Sequence, residues 1–263
     1  MEHTNAIGHR APGGELGDTT GGMKRVLWAA VAMLGCSGTD VGNGRTRLNL
    51  LGYEQPTRAL TLASGVRIDS LHVVVQRVRL QPGTLCNGDD GEIDIERVLV
   101  ADLVGGGLLN PREQREWTLN SDTFCELRLD FHRLEGGEPV PAGTPPELVD
   151  RTIRMVGARQ DGVPFVVESE ISEQLELEAR NGSFELSQID SSLILAFELS
   201  SWVAALELDT LGAGPILVNK DSNSGQLSQF EDAVKSSMRL FRDENGDDDL
   251  SPDEHAPGDE LAD

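Results

Sequence analysis

Aromatic residues are scarce: one Tyr, three Trp and seven Phe in 263 residues. A carbohydrate-binding face generally needs a row of exposed rings, so that function finds little support. Histidine is nearly as rare. Beyond residue 36 only His72, His132 and His255 remain, and none sits in a recognisable nucleophile–base pattern. HExxH, GxSxG, phosphate-loop and dinucleotide signatures are all missing. Only three lysines occur, Lys24, Lys220 and Lys235, which reads as codon bias. Positive charge is short overall, with 22 basic against 45 acidic residues and a net charge of -23. Such a balance repels nucleic acid and anionic lipid headgroups, and attracts cations. Finally, the apolar run Val26–Gly35 has ten residues, about half of what a membrane-spanning helix needs.

That short run instead has the length of a signal-peptide core. Met23-Lys24-Arg25 supplies a positive start before it, and Met33-Leu34-Gly35-Cys36 closes it. The closing segment resembles the lipobox of bacterial lipoproteins. It departs from the usual pattern in having Met33 where leucine is common and Leu34 where a small residue is common. The resemblance implies cleavage before Cys36, lipidation of its thiol, and display in the cell envelope, with the outer membrane of a Gram-negative bacterium as the expected site. A small, polar, glycine-rich stretch follows (residues 36–46), as expected of a tether. Residues 1–22 carry no apolar run and are expected to be an over-extended start, with Met23 as initiator.

Lipidation of Cys36 would leave Cys86 and Cys125 as an even pair in a compartment that permits disulfides. A Cys86–Cys125 bond is expected, two free buried thiols being the alternative. Neither has a histidine at metal-ligand spacing, which argues against zinc.

Residues 47–218 read as a mainly β, antiparallel β-sandwich. From Thr123 to Leu134, Cys125, Leu127, Leu129 and Phe131 fall on one face; Glu126, Arg128, Asp130 and His132 fall on the other. That period of two marks a half-buried strand. Ile153/Met155, Val163/Phe165/Val167, Leu175/Leu177 and Leu193/Leu195/Phe197/Leu199 repeat it. Val66–Leu80 is long and β-branched, with Ser70, His72 and Gln76 interrupting one face, so a bulge or bend is expected. Asp161-Gly162 and Asn181-Gly182 suit tight hairpins. Val66–Leu80, Leu99–Leu109, Thr123–Leu134 and Leu193–Leu206 together resemble β-sandwich domains of bacterial surface lipoproteins, similar to transthyretin-like or immunoglobulin-like modules. The resemblance implies a fold class and no activity. Trp202 is expected at the edge of the core.

Residues 227–254 carry the most specific chemistry. Ser228 to Glu231 has the form of a capping box, and Phe230, Val234, Met238 and Phe241 recur at helical spacing. A single C-terminal helix is therefore expected to run into Asp243. The twelve residues Asp243–Glu254 resemble an EF-hand or dockerin-type calcium loop. In that register the oxygen ligands are Asp243, Asn245, Asp247, the carbonyl of Asp249, Ser251 through water, and Glu254. Position six holds Asp248 instead of the usual glycine, and Pro257 and Gly258 rule against an exiting helix. Residues 255–263 read as an acidic tail.

The function expected from these features is that of a lipid-anchored, calcium-stabilised envelope protein in a structural or surface-interaction role, with no catalytic activity identified. Its partners would be the membrane, through the lipid, and other envelope proteins or glycans; nucleic acid is excluded. Two alternatives stand beside this: a ligand-binding or adhesion module, which Trp117 or Trp202 in a groove would favour, and an envelope hydrolase using paired carboxylates.

Overall fold

A computed structural model describes residues 45–53, 61–86, 91–109, 116–119, 121–186, 191–251, 254 and 259–263. Cys36, the apolar run before it, the tether as far as residue 44, and His255 lie outside the described residues.

Among the described residues the fold is mainly β and sandwich-like, built from two sheets of four and nine strands. The smaller contains β1 (Arg45–Tyr53), β5 (Glu116–Thr118), β11 (Ser191–Glu198) and β13 (Met238–Arg242), in the order β13-β11-β1-β5. The larger has nine strands: β2 (Arg67–Pro82), β3 (Ile93–Asp102), β4 (Gly107–Leu108), β6 (Thr123–Phe131), β7 (Ile153–Ala158), β8 (Pro164–Ser169), β9 (Gln174–Glu178), β10 (Phe184–Glu185) and β12 (Ile216–Val218). Helices α1 (Leu199–Ala205) and α2 (Ser224–Ser236) lie between β11 and β13 in the chain.

Strand β2 is the spine of the larger sheet. β3 pairs along one edge of it, and β7 and then β6 along the other. Its core-facing residues are Ile68, then Leu71, Val73 and Val75, then Val78 and Leu80. The parity flips twice, where the register shifts between Ile68 and Ser70 and between Val75 and Arg77; a further shift falls at the strand's end, between Gln81 and Pro82. Each of the first two bulges restores the apolar side chains to the core after a polar interruption. The expected bulge in this run is therefore present, and doubled. Strand β6 alternates as expected from Leu127 onward, with Leu127 and Leu129 fully buried and Arg128 and Asp130 among the ion pairs of the outer face; before it Phe124, Cys125 and Glu126 are all buried, beside a register shift at Gln81/Pro82.

Several expectations are corrected. The sheets are mixed, not purely antiparallel: β1 runs parallel to β11 and β12 parallel to β8. Alternation sets which face is buried but carries no strand direction. The alternation taken to run through Leu199 stops at Glu198, where α1 begins. Trp202, on α1, is at the centre of the core and not its edge. It is wholly buried, meets Phe197 and Phe230 edge-on at 5.4 Å, and donates its indole N–H to Ser237 Oγ at 2.6 Å. Asn181-Gly182 makes a turn but joins no hairpin, because β9 and β10 both pair with β6. Asp161-Gly162 does join β7 to β8 as a hairpin, with Gly162 at φ 85°.

The supposed capping box lies inside α2, which starts at Ser224. Ser228 Oγ donates back to the Ser224 carbonyl, and Glu231 accepts from Ser169 on β8. The helix ends at Ser236, so it does not enter the loop. Met238 and Phe241 belong to β13, whose pairing with β11 overrides the helical spacing. Residues 259–263, read as a solvated tail, are built into the fold. Ala262 is fully buried and bridges Leu240 of β13 to Ala179 beyond β9, joining the edges of the two sheets.

Candidate metal centre

The outer face of the smaller sheet is where the acidic loop sits. On β1 that face carries Arg47, Asn49, Leu51 and Tyr53; on β11, Ser192, Ile194 and Ala196; on β13, Phe241. Leu250, the apolar residue of the loop, packs with Leu51, Tyr53, Ile194, Ala196 and Phe241 in a cluster separate from the main core. This explains why β11 is buried on both faces. Its inner face meets the core, and its outer face is covered by the loop. Burying a leucine contributes about 2 kcal/mol, so the loop is a structural lid as well as a collection of acids.

Strand β13 delivers Asp243 directly, and the Asp243 N–H donates to the Ser192 carbonyl at 3.0 Å. From there the loop is braced by its own carboxylates. Asp243 accepts from the N–H groups of Gly246 at 2.6 Å and Asp248 at 3.1 Å. Glu254 accepts from Glu244 at 2.8 Å, Asn245 at 3.2 Å and Ser251 at 2.9 Å. The first and last loop positions are thereby held side by side. Carboxylate oxygens of Asp243, Asp247 and Glu254 all come within 4.8 Å of one another. Each carboxylate has about four lone-pair directions; N–H bonds take two of them on Asp243, whereas Glu254 is engaged by three backbone N–H groups and the Ser251 side chain. Asp243 and Glu254 are each 5% exposed, and Asp247 is on the solvent side.

Of the six expected ligands, three converge: Asp243, Asp247 and Glu254. Asn245 Oδ1 accepts the Asp247 N–H at 2.8 Å, and Asp249 Oδ1 accepts from Leu250 at 3.0 Å. Ser251 joins Glu254 through its backbone N–H and its side chain. Asp248, at the position usually given to glycine, adopts φ 64°. Aspartate tolerates the left-handed region better than most residues, so the sharp turn is made without glycine.

Burial pushes the Glu254 carboxyl up, but hydrogen bonds from Ser251, Asn245 and Glu244 outweigh it and hold the group below its ordinary value. Beside the loop opens a polar cleft of about 430 Å³, whose lining includes Glu244, Glu254, Asp259 and Glu260. Acids lining a concavity focus the field that draws cations in.

Sequence reasoning missed Asn49. This side chain is fully buried, donates to the Asp248 carbonyl at 2.8 Å, and accepts the Leu108 N–H at 3.1 Å. It ties the loop to the β3–β4 hairpin. Gly107 permits this approach, because a Cβ there would fall 2.1 Å from Asn49 Oδ1. An asparagine among leucines on a strand gives no warning of such a role.

The other sequence-marked residues lie elsewhere. Cys86 and Cys125 are joined as a disulfide, with Cα atoms 5.8 Å apart, fastening the segment after β2 to the start of β6. Trp117 lies on β5. Trp202 is buried and can present no ligand platform. Among the described residues, the carboxyls displaced from their ordinary range, Asp161 and Glu254, both move down, whereas a general acid would need the opposite.

The fold and this loop define a mixed β-sandwich bearing a carboxylate site on the outer face of its smaller sheet. No family model and no curated protein matches the chain. Among solved structures it is similar to MbnP from Methylosinus trichosporium, at 11% identity and a TM-score of 0.30, over 58% of this chain and 75% of that one. A likeness at that level carries no argument.

Proposed function

We propose that the chain is a lipid-anchored, calcium-stabilised protein of the bacterial cell envelope, with a structural or surface-interaction role. The observation that carries the calcium reading is the convergence of Asp243, Asp247 and Glu254 on one point in a loop whose ends are already braced. The anchor rests on the sequence ending in Cys36. Calcium is a hard cation that takes several oxygens, and Asp243, Asp247 and Glu254 each offer one. Without a cation the three carboxylates repel one another; with one, that repulsion becomes attraction and Leu250 stays seated.

A single loop, entered from a strand, fits an affinity on the order of 10⁻⁴ to 10⁻³ M, as in extracellular modules. At about ten times that dissociation constant, binding adds only about 1.4 kcal/mol to stability. The role of the ion is bracing, not sensing. Thermal melts with millimolar calcium or with chelator test this. Wild type should melt higher in calcium, and the Asp243→Ala/Glu254→Gln double variant should show no difference. Absence of a calcium-dependent shift in wild type, with no heat of binding in calorimetry, would overturn the reading.

A further inference from the structure

We propose that Ser192 belongs to the cation site, its hydroxyl holding a water of the bound ion's shell. The proposal rests on the calcium reading of the loop and adds a residue that the loop itself does not contain.

Ser192 sits on β11 beneath the loop. It is 5% exposed, and its Oγ makes no hydrogen bond to any described residue. Strand parity puts its side chain on the same face as Ile194 and Ala196, the residues that Leu250 covers. Its neighbours on either side point to the same place. On β1 its register partner is Arg47, whose guanidinium lies 3.9 Å from where a Cβ on Gly246 would stand. Toward β13, its own carbonyl accepts the N–H of Asp243, the first loop ligand. Ser192 is thus flanked by the loop's entry and by its turn.

A buried hydroxyl without a partner is a net cost to a fold. The serine is therefore placed where a partner is supplied from outside the chain. A hydrated cation held by Asp243 would bring one: its water donates to carboxylates and to Ser192 Oγ, or accepts the hydroxyl proton. A hard cation that keeps part of its hydration shell suits a site with three side-chain carboxylates and a neutral oxygen alongside.

Calorimetric titration with calcium chloride of wild type, Ser192→Ala and Ser192→Thr tests this, together with melts in chelator. Ser192→Ala should bind calcium about three- to tenfold more weakly, the factor of one hydrogen bond, and Ser192→Thr should stay close to wild type. In chelator Ser192→Ala should melt at or above wild type, because it removes an unpaired buried hydroxyl. Equal calcium affinity in wild type and Ser192→Ala would place Ser192 outside the site while leaving the loop reading intact. A lower melting temperature for Ser192→Ala in chelator would assign the serine a merely structural role, against the proposal. No binding by wild type would overturn the loop reading and this proposal together.

Discussion

Glu254 closes the loop by accepting three backbone N–H groups from residues near both of its ends. Those bonds exist only for the carboxylate in full strength, which is why they hold its pKa down against burial. A folded pKa below the unfolded value, near 4.3, contributes stability above that value and loses it as pH falls through the folded one. In chelator, wild type should therefore lose more stability between about pH 7 and about pH 3 than Glu254→Gln, whose side chain does not titrate. Urea midpoints at the two pH values give the comparison; equal losses would mean that Glu254 contributes nothing specific. Asn49 works with it from below. Both ends of its amide are used, one on the loop carbonyl and one on the hairpin N–H, so the loop is held from the sheet as well as by its own acids.

Strands are held to one another by more than ladders. The Cys86–Cys125 bond spans a separation of 39 residues, and losing such a crosslink generally costs about 2–4 kcal/mol. Cys86→Ala with Cys125→Ala should lower the urea midpoint by a corresponding amount, and peptides from non-reduced wild type should carry the two cysteines linked. Unlinked peptides, or an unchanged midpoint, would remove the bond from the account. At this scale the sequence was legible where one face meets water. β6 alternates because its outer face carries Arg128 and Asp130, and two of the interruptions of β2, Ser70 and Gln76, sit at its bulges. It was illegible where tertiary pairing decides. Met238 and Phe241 keep helical spacing with Phe230 and Val234, yet hydrogen bonding to β11 draws them into a strand. Trp202 follows an alternating run but turns into α1, since its ring fills the space between Phe197 and Phe230. The ligand positions of the loop could be read from their spacing. Its seat could not, because Asn49 and Ser192 come from distant strands and have unremarkable neighbours.

At the scale of the whole molecule, the two outer faces differ. The larger sheet presents a lattice of ion pairs, among them Arg77–Asp94, Arg79–Asp130 and Arg128–Glu126. These pairs are half-shielded by one another, Glu126 most of all, and they keep the face polar. The smaller sheet presents apolar residues and depends on the loop to cover them. A tether at Cys36 would hold the chain at a membrane from the end nearest β1. Labelled palmitate is expected to enter wild type and not Cys36→Ser when each is expressed in a bacterial host; equal incorporation would eliminate the anchor. The parallel pairing of β1 with β11 has one further consequence, and it concerns time. These two strands are separated by nearly the whole of the larger sheet, and contacts between distant parts of a chain form slowly. Within the larger sheet β2 can pair with β3, and β7 with β8, while β1 still waits for its partner. In that interval Leu51, Tyr53, Ile194 and Phe241 are uncovered, and a newly made chain is at its most adhesive toward its own copies until the loop folds down over them.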